Sequence, residues 1–144
     1  KDVSVLDANP SDNVTSLSFD LELSDSPNHT DWPLLPDRFG GIVVTNYLYR
    51  PLMTDLFNSL SEGGVLIYET FAKDNGLFGK PSNPDFLLKT GELLSLASLK
   101  PEFHVLAFED GYVSDPKPAM VQRICVIRDP LGSPESRCID LRTQ

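Results

Sequence analysis

The stretch from Gly40 to Thr70, GGIVVTNYLYRPLMTDLFNSLSEGGVLIYET, constrains this chain more than any other. Ile42-Val43-Val44 is an unbroken β-branched run, the pattern of a strand buried on both faces of a parallel sheet. It ends at Thr45-Asn46. Pro51 suits the first turn of a helix. Leu52, Met53, Leu56, Phe57 and Leu60 then recur at helical spacing and form one apolar face. Gly63-Gly64 is the expected helix stop. Val65 to Tyr68 reads as a second buried strand that ends on Glu69-Thr70. Strand, helix and strand within about 30 residues predict a βαβ unit, with both strand C-termini at one edge. Ligands of open α/β sheets bind at such an edge.

The flanks fit around this unit. Val3 to Leu6 is a short apolar run closed by Asp7, and Ala8 to Asn13 is a turn cluster. Val14 to Phe19 alternates and reads as a strand closed by Asp20-Leu21-Glu22. Leu23 to Phe39 carries Pro27, Pro33 and Pro36 and reads as a loop, with Trp32 and Leu34 or Leu35 folding back onto the core. Phe71 to Thr90 is a long loop of the kind that forms lids. Thr90 is placed to cap a short helix over Gly91 to Leu99. Phe103 to Phe108 and Met120 to Arg128 predict two strands. No helix separates them, so they should pair antiparallel.

Length bounds the rest. At 144 residues the expectation is a single α/β domain over residues 1–128 and a polar tail over 129–144. The net charge of −9 argues against nucleic acid as a partner, because phosphate neutralisation needs Lys and Arg. No apolar run approaches the roughly 18 residues of a membrane span, so no membrane partner is expected. No basic patch with an apolar block opens the sequence, and no signal peptide is expected. Cys125 and Cys138 do not make a disulfide framework, which fits a reducing, cytoplasmic compartment. His29 has no Cys or His partner nearby, and no metal-ligand spacing occurs. His104 reads as a structural strand residue. No G-x-S-x-G elbow is present.

Several phrases together resemble one family. They are Asp7-Ala8-Asn9-Pro10, Asp20-Leu21-Glu22, Val44 to Leu48 with Arg50-Pro51-Leu52, and Glu62 to Phe71. Phe78 to Leu88 and Glu109 to Tyr112 complete the set. Over about Val3 to Val126 the chain resembles class I S-adenosylmethionine-dependent methyltransferases of the tellurite-resistance-like and generic group. The resemblance implies a partial Rossmann-like sheet, mostly parallel, with a C-terminal antiparallel strand pair. It implies S-adenosylmethionine as cofactor and a small-molecule methyl acceptor. It assigns Asp7 to the cofactor's ribose, Asp20 to its adenine, and Asn46 to its methionine end or the acceptor. Tyr47, Tyr68, Glu69, Phe78 and Asn83 would face the acceptor. Glu69 would be the general base if a proton must leave, with Asn46 as the other candidate catalytic residue.

The sequence also departs from the family. The first strand, Gly-rich loop and first helix should precede Asp7, and no GxGxG occurs anywhere. That loop lets the backbone approach the methionine part of the cofactor. Val3 to Leu6 taking the central place, a second copy completing the sheet as a homodimer, or further residues before Lys1 would each fill the gap. The chain then reads either as a small methyltransferase, truncated as given, or as a degenerate, inactive relative that serves as a binding or oligomerising module.

Overall fold

The computed structural model describes residues 17–22 and 33–129. Chain contacts divide the molecule after residue 32. In the first unit, residues 17–20 carry no regular structure and 21–22 form a turn, so the strand expected over Val14 to Phe19 is not formed at its described end. Its other residues, like Val3 to Leu6, Asp7, His29, Trp32 and Cys138, lie outside the described residues.

Among its described residues the second unit is built on four strands, β1 (Phe39–Thr45), β2 (Leu60–Phe71), β3 (Phe103–Val113) and β4 (Ala119–Arg128). Their order in the sheet is β1-β2-β4-β3. β1 and β2 run parallel, as the crossover helix between them requires. β4 is antiparallel to both β2 and β3. This corrects the expected partial Rossmann-like, mostly parallel methyltransferase sheet. β1, β2 and β3 do point the same way, but β4 sits between β2 and β3. Only one adjacent pair is therefore parallel, and the sheet is mixed.

Among the described residues, helices are few and short. A 3-10 turn at Arg50–Leu52, with Pro51 in its first turn, leads into α1 (Met53–Asn58). A six-residue helix has no stability of its own and depends on packing. Met53, Leu56 and Phe57 supply that packing, buried against Leu66 and Tyr68 of β2. The apolar spacing of the sequence thus marks the right face but overstates the length. Leu60, assigned to the helix by its spacing, opens β2. Gly63-Gly64 does not stop a helix; it forms an irregularity inside β2, where pairing jumps from Phe39↔Leu60 to Gly41↔Val65. Gly63 has φ +74°, and a Cβ on Gly64 would stand 2.8 Å from the carbonyl oxygens of Phe39 and Ser61.

The two faces of the sheet differ. Leu66, Tyr68 and Thr70 of β2 lie beside Val126, Ile124 and Gln122 of β4 on the buried face. α2 (Glu92–Ala97) adds Leu93 and Ala97 to this core. Full burial of a side chain such as Leu66 contributes about 2 kcal/mol. A bulge at Leu106 shifts the parity of β3, so Val105 and Phe108 both pack on the core. The opposite face carries Val43 and Ile67 in register, 69% and 49% exposed. The expectation that Ile42 to Val44 is buried on both faces is therefore corrected. Leu34 packs on the core as expected, whereas Leu35 is exposed.

The expected lid is a pinned lobe. It holds two 3-10 turns, Asn75–Leu77 and Pro84–Phe86. The Leu88 N–H donates to Phe71 O at 3.0 Å, and the Lys73 N–H donates to Leu88 O at 2.8 Å. Arg50 clasps the far end. Its guanidinium donates to both carboxylate oxygens of Glu92 at 2.7 and 3.0 Å, and to the carbonyls of Asp85 and Leu87. Glu92 also takes the Lys89 N–H at 2.7 Å, which replaces the cap expected from Thr90.

Candidate functional site

The C-terminal ends of β1 and β2 meet at one edge, as a βαβ unit demands. Asn46 follows β1 with φ +54°, and its N–H donates to Glu69 O at 2.9 Å. That bond carries the parallel ladder one residue past the strand. On the open face, Glu69 stands opposite Arg123 of β4, and Arg123 stands opposite Glu109 of β3. The guanidinium joins the two carboxylates, with Glu109 at 3.3 Å and Glu69 closer. The hydrogen bond that Arg123 donates to Glu69 holds the Arg123 pKa above its ordinary value.

A cleft of about 590 Å³ opens beside this row. Phe71, Val121 and Ala119 line its apolar side. One wall is the lobe segment with Phe78 and Lys80; the other is the β3–β4 turn, with Asp115 and Lys117. Phe78 packs on Tyr112 with ring centroids 5.1 Å apart. Asn75, 1% exposed, ties the walls to the sheet. Its amide donates to Pro81 O at 2.9 Å, and its carbonyl accepts the Met120 N–H at 3.1 Å.

Of the residues singled out from sequence, Asn46, Glu69 and Phe78 come together at this cleft. Three others do not line it. Tyr68 is buried, and its hydroxyl donates to the Tyr47 carbonyl at 2.6 Å. Burial pushes the Tyr68 pKa up, so the phenol stays protonated and acts as a strut between β2 and the segment after β1. Tyr47 takes part through its backbone. The Asn83 side chain accepts the Asp85 N–H at 3.1 Å and caps the second 3-10 turn of the lobe. Asp20 belongs to the first unit, where its carboxylate accepts the Glu22 N–H at 3.0 Å. Asp7 lies outside the described residues.

Asn75, Lys80, Lys117 and Arg123 were not foreseen from sequence. Only Arg123 left a signal, as the charge that interrupts the apolar run Met120 to Ile127. Among the described residues no group of three metal-ligating side chains forms, and no helix is long and apolar enough to cross a membrane.

No family model matches this sequence, and no curated protein matches it. A solved structure from work on the conversion of a disulfide bond into a thioacetal group during echinomycin biosynthesis is similar in shape. It matches with a TM-score of 0.46 and 9% identity, over 68% of this chain and 52% of its own. This chain therefore spans about half of that protein, and a likeness of that degree carries no argument about activity.

Proposed function

We propose that the cleft at the ends of β1 and β2 binds a small molecule, and that this molecule is the acceptor in a methyl transfer from S-adenosylmethionine. One observation carries the binding half of the reading. Glu69 and Phe78, placed by the family resemblance on the acceptor side, and Asn46, placed by it at the cofactor's methionine end or the acceptor, line the same cleft although they are far apart in sequence. Its mix of an apolar side and a few converging polar groups is that of a ligand site. Methyl transfer itself rests on the sequence resemblance.

The described residues do not by themselves fit the cofactor. Asn46 is the one assigned cofactor residue at the cleft, Asp20 is engaged by Glu22, and the chain has no Gly-rich loop. The cleft's own contribution is therefore binding and orientation, which for attack on a methyl sulfonium is the larger need. Glu69, held by Arg123, is an anionic hydrogen-bond acceptor for an acceptor hydroxyl or amine.

The lack of a cofactor cradle favours a second reading, a non-catalytic binding or oligomerising module. β1 is an edge strand among the described residues, with Val43 exposed on it, and a second copy would pair there. Cys125 is a free thiol, in keeping with a cytoplasmic setting.

Isothermal titration with S-adenosylmethionine and S-adenosylhomocysteine tests the first reading. Saturable binding that Asp7→Ala abolishes supports it. If neither compound binds up to millimolar concentration, methyl transfer is removed for this chain and the binding module stands. A strictly monomeric mass in solution removes the second copy.

A further inference from the structure

We infer that the cleft selects a small molecule with an aromatic or similarly flat apolar body and a compact anionic group, the anion lying between Lys80 and Lys117. This deepens the proposed binding function and rests on it. Charge makes the first part of the case. Among the described residues the cleft is lined by three cations, Lys80, Lys117 and Arg123, against two carboxylates, Glu69 and Asp115. A net positive lining is unexpected in a chain of net charge −9. Arg123 is already committed to Glu69 and to Glu109 beyond the lining. Lys80 and Lys117 form no salt bridge among the described residues, and they reach the cleft from opposite walls.

The apolar part of the lining gives the body. Phe71 and Phe78 are the aromatic residues of the cleft, and Phe78 is 44% exposed although it packs on Tyr112. An exposed aromatic held by a second ring is a preformed surface for a flat ligand. Asn75 fixes the spacing of the walls, since its carboxamide joins Pro81, next to Lys80, to Met120 at the start of β4. The two lysines are thus presented by backbone that a buried side chain holds in place.

Benzoate, phenyl phosphate and the neutral benzamide are the probes, titrated into isotopically labelled protein with amide shifts as the readout. Shifts are expected at Phe78, Lys80 and Lys117. One or both anions should bind roughly five-fold more tightly than benzamide at low salt, the scale of two exposed ion pairs. Which anion leads distinguishes a carboxylate site from a phosphate site. High salt should erase the preference. Lys80→Gln with Lys117→Gln should bring the anions down to benzamide while benzamide itself is unchanged, which also shows the variant is folded. Benzamide binding as tightly as both anions, or a preference that survives the double substitution, overturns the anion inference and leaves the binding cleft standing. No shift at the cleft with any probe overturns both.

Discussion

The side-chain carbonyl of Asn75 accepts a hydrogen bond from the backbone N–H of Met120 at 3.1 Å, so a residue of the lobe takes up a strand-end group of β4. The same carboxamide donates to Pro81. Asn75→Ala leaves both backbone groups unpaired beside a buried position. The expected loss is about 2–6 kcal/mol, from two groups each costing on the order of 1–3. Urea unfolding monitored by circular dichroism measures it; a loss below about 0.5 kcal/mol would show that water replaces the carboxamide.

Gln122 makes a comparable brace two residues further along β4. It is fully buried and accepts the Leu93 N–H at 3.1 Å. Its amide donates to Lys89 O and to Asp110, and Asp110 in turn accepts the Gly91 N–H at 2.8 Å. Gln122→Leu preserves volume but removes the partners of three groups around the start of α2. A destabilisation of about 2–4 kcal/mol is expected. Hydrogen exchange at Leu93 should rise beyond the global change, and uniform protection would refute the local role.

Arg50 and Glu92 tie stability to pH. Burial works to raise the Glu92 pKa, but the hydrogen bonds from Arg50 and the Lys89 N–H outweigh it, and the net shift is below the ordinary 4.5. A carboxylate with a depressed folded pKa stabilises the fold above its unfolded pKa, and that contribution is lost as pH falls through the folded value. Arg50→Ala should therefore cost about 1–2 kcal/mol at neutral pH, allowing for the pair's partial exposure and the two lost carbonyl contacts. The gap between wild type and variant should narrow below pH 4.5. Thermal melts across pH measure it; a constant gap would assign the loss to the carbonyl contacts alone.

Gly64 tests the irregularity in β2. A Cβ there meets two backbone oxygens at 2.8 Å, and backbone has little room to yield. Gly64→Ala is expected to cost about 1–3 kcal/mol. Gly40→Ala is the control: nothing lies within 4 Å of its Cβ, and the change should stay within about 0.5 kcal/mol. Equal melting temperatures for the two variants would remove the steric account.

Much of this molecule is legible in local pattern. The β-branched run before Asn46, the apolar spacing from Leu52 to Phe57 and the run from Val65 to Tyr68 mark the parallel pair and its helix. The absence of a helix between Phe108 and Met120 marks the antiparallel pair. Two kinds of error arise where pattern meets pairing. Leu60 keeps helical spacing yet opens β2, because its backbone pairs with Phe39. Ile42-Val43-Val44 reads as doubly buried, yet Val43 lies exposed, because β-branched residues suit a strand whether or not both its faces are covered.

The candidate site divides the same way. Asn46 and Glu69 are visible from sequence because they end adjacent strands of one βαβ unit, and the geometry of that unit brings strand ends together. Asn75, Lys80, Lys117 and Arg123 carry no such mark. Arg123 reaches Glu69 only because β4 enters beside β2 in one register. The lysines meet at one cleft only because the lobe and the β3–β4 turn are held above the same strand ends. Local sequence thus determined most of the segments that become strand and helix, since spacing and backbone preference act over a few residues, with Leu60 and the described end of Val14 to Phe19 as the exceptions. The order of the strands, the exposed face and the charge of the cleft were decided by tertiary structure, since they depend on hydrogen-bond partners dozens of residues apart.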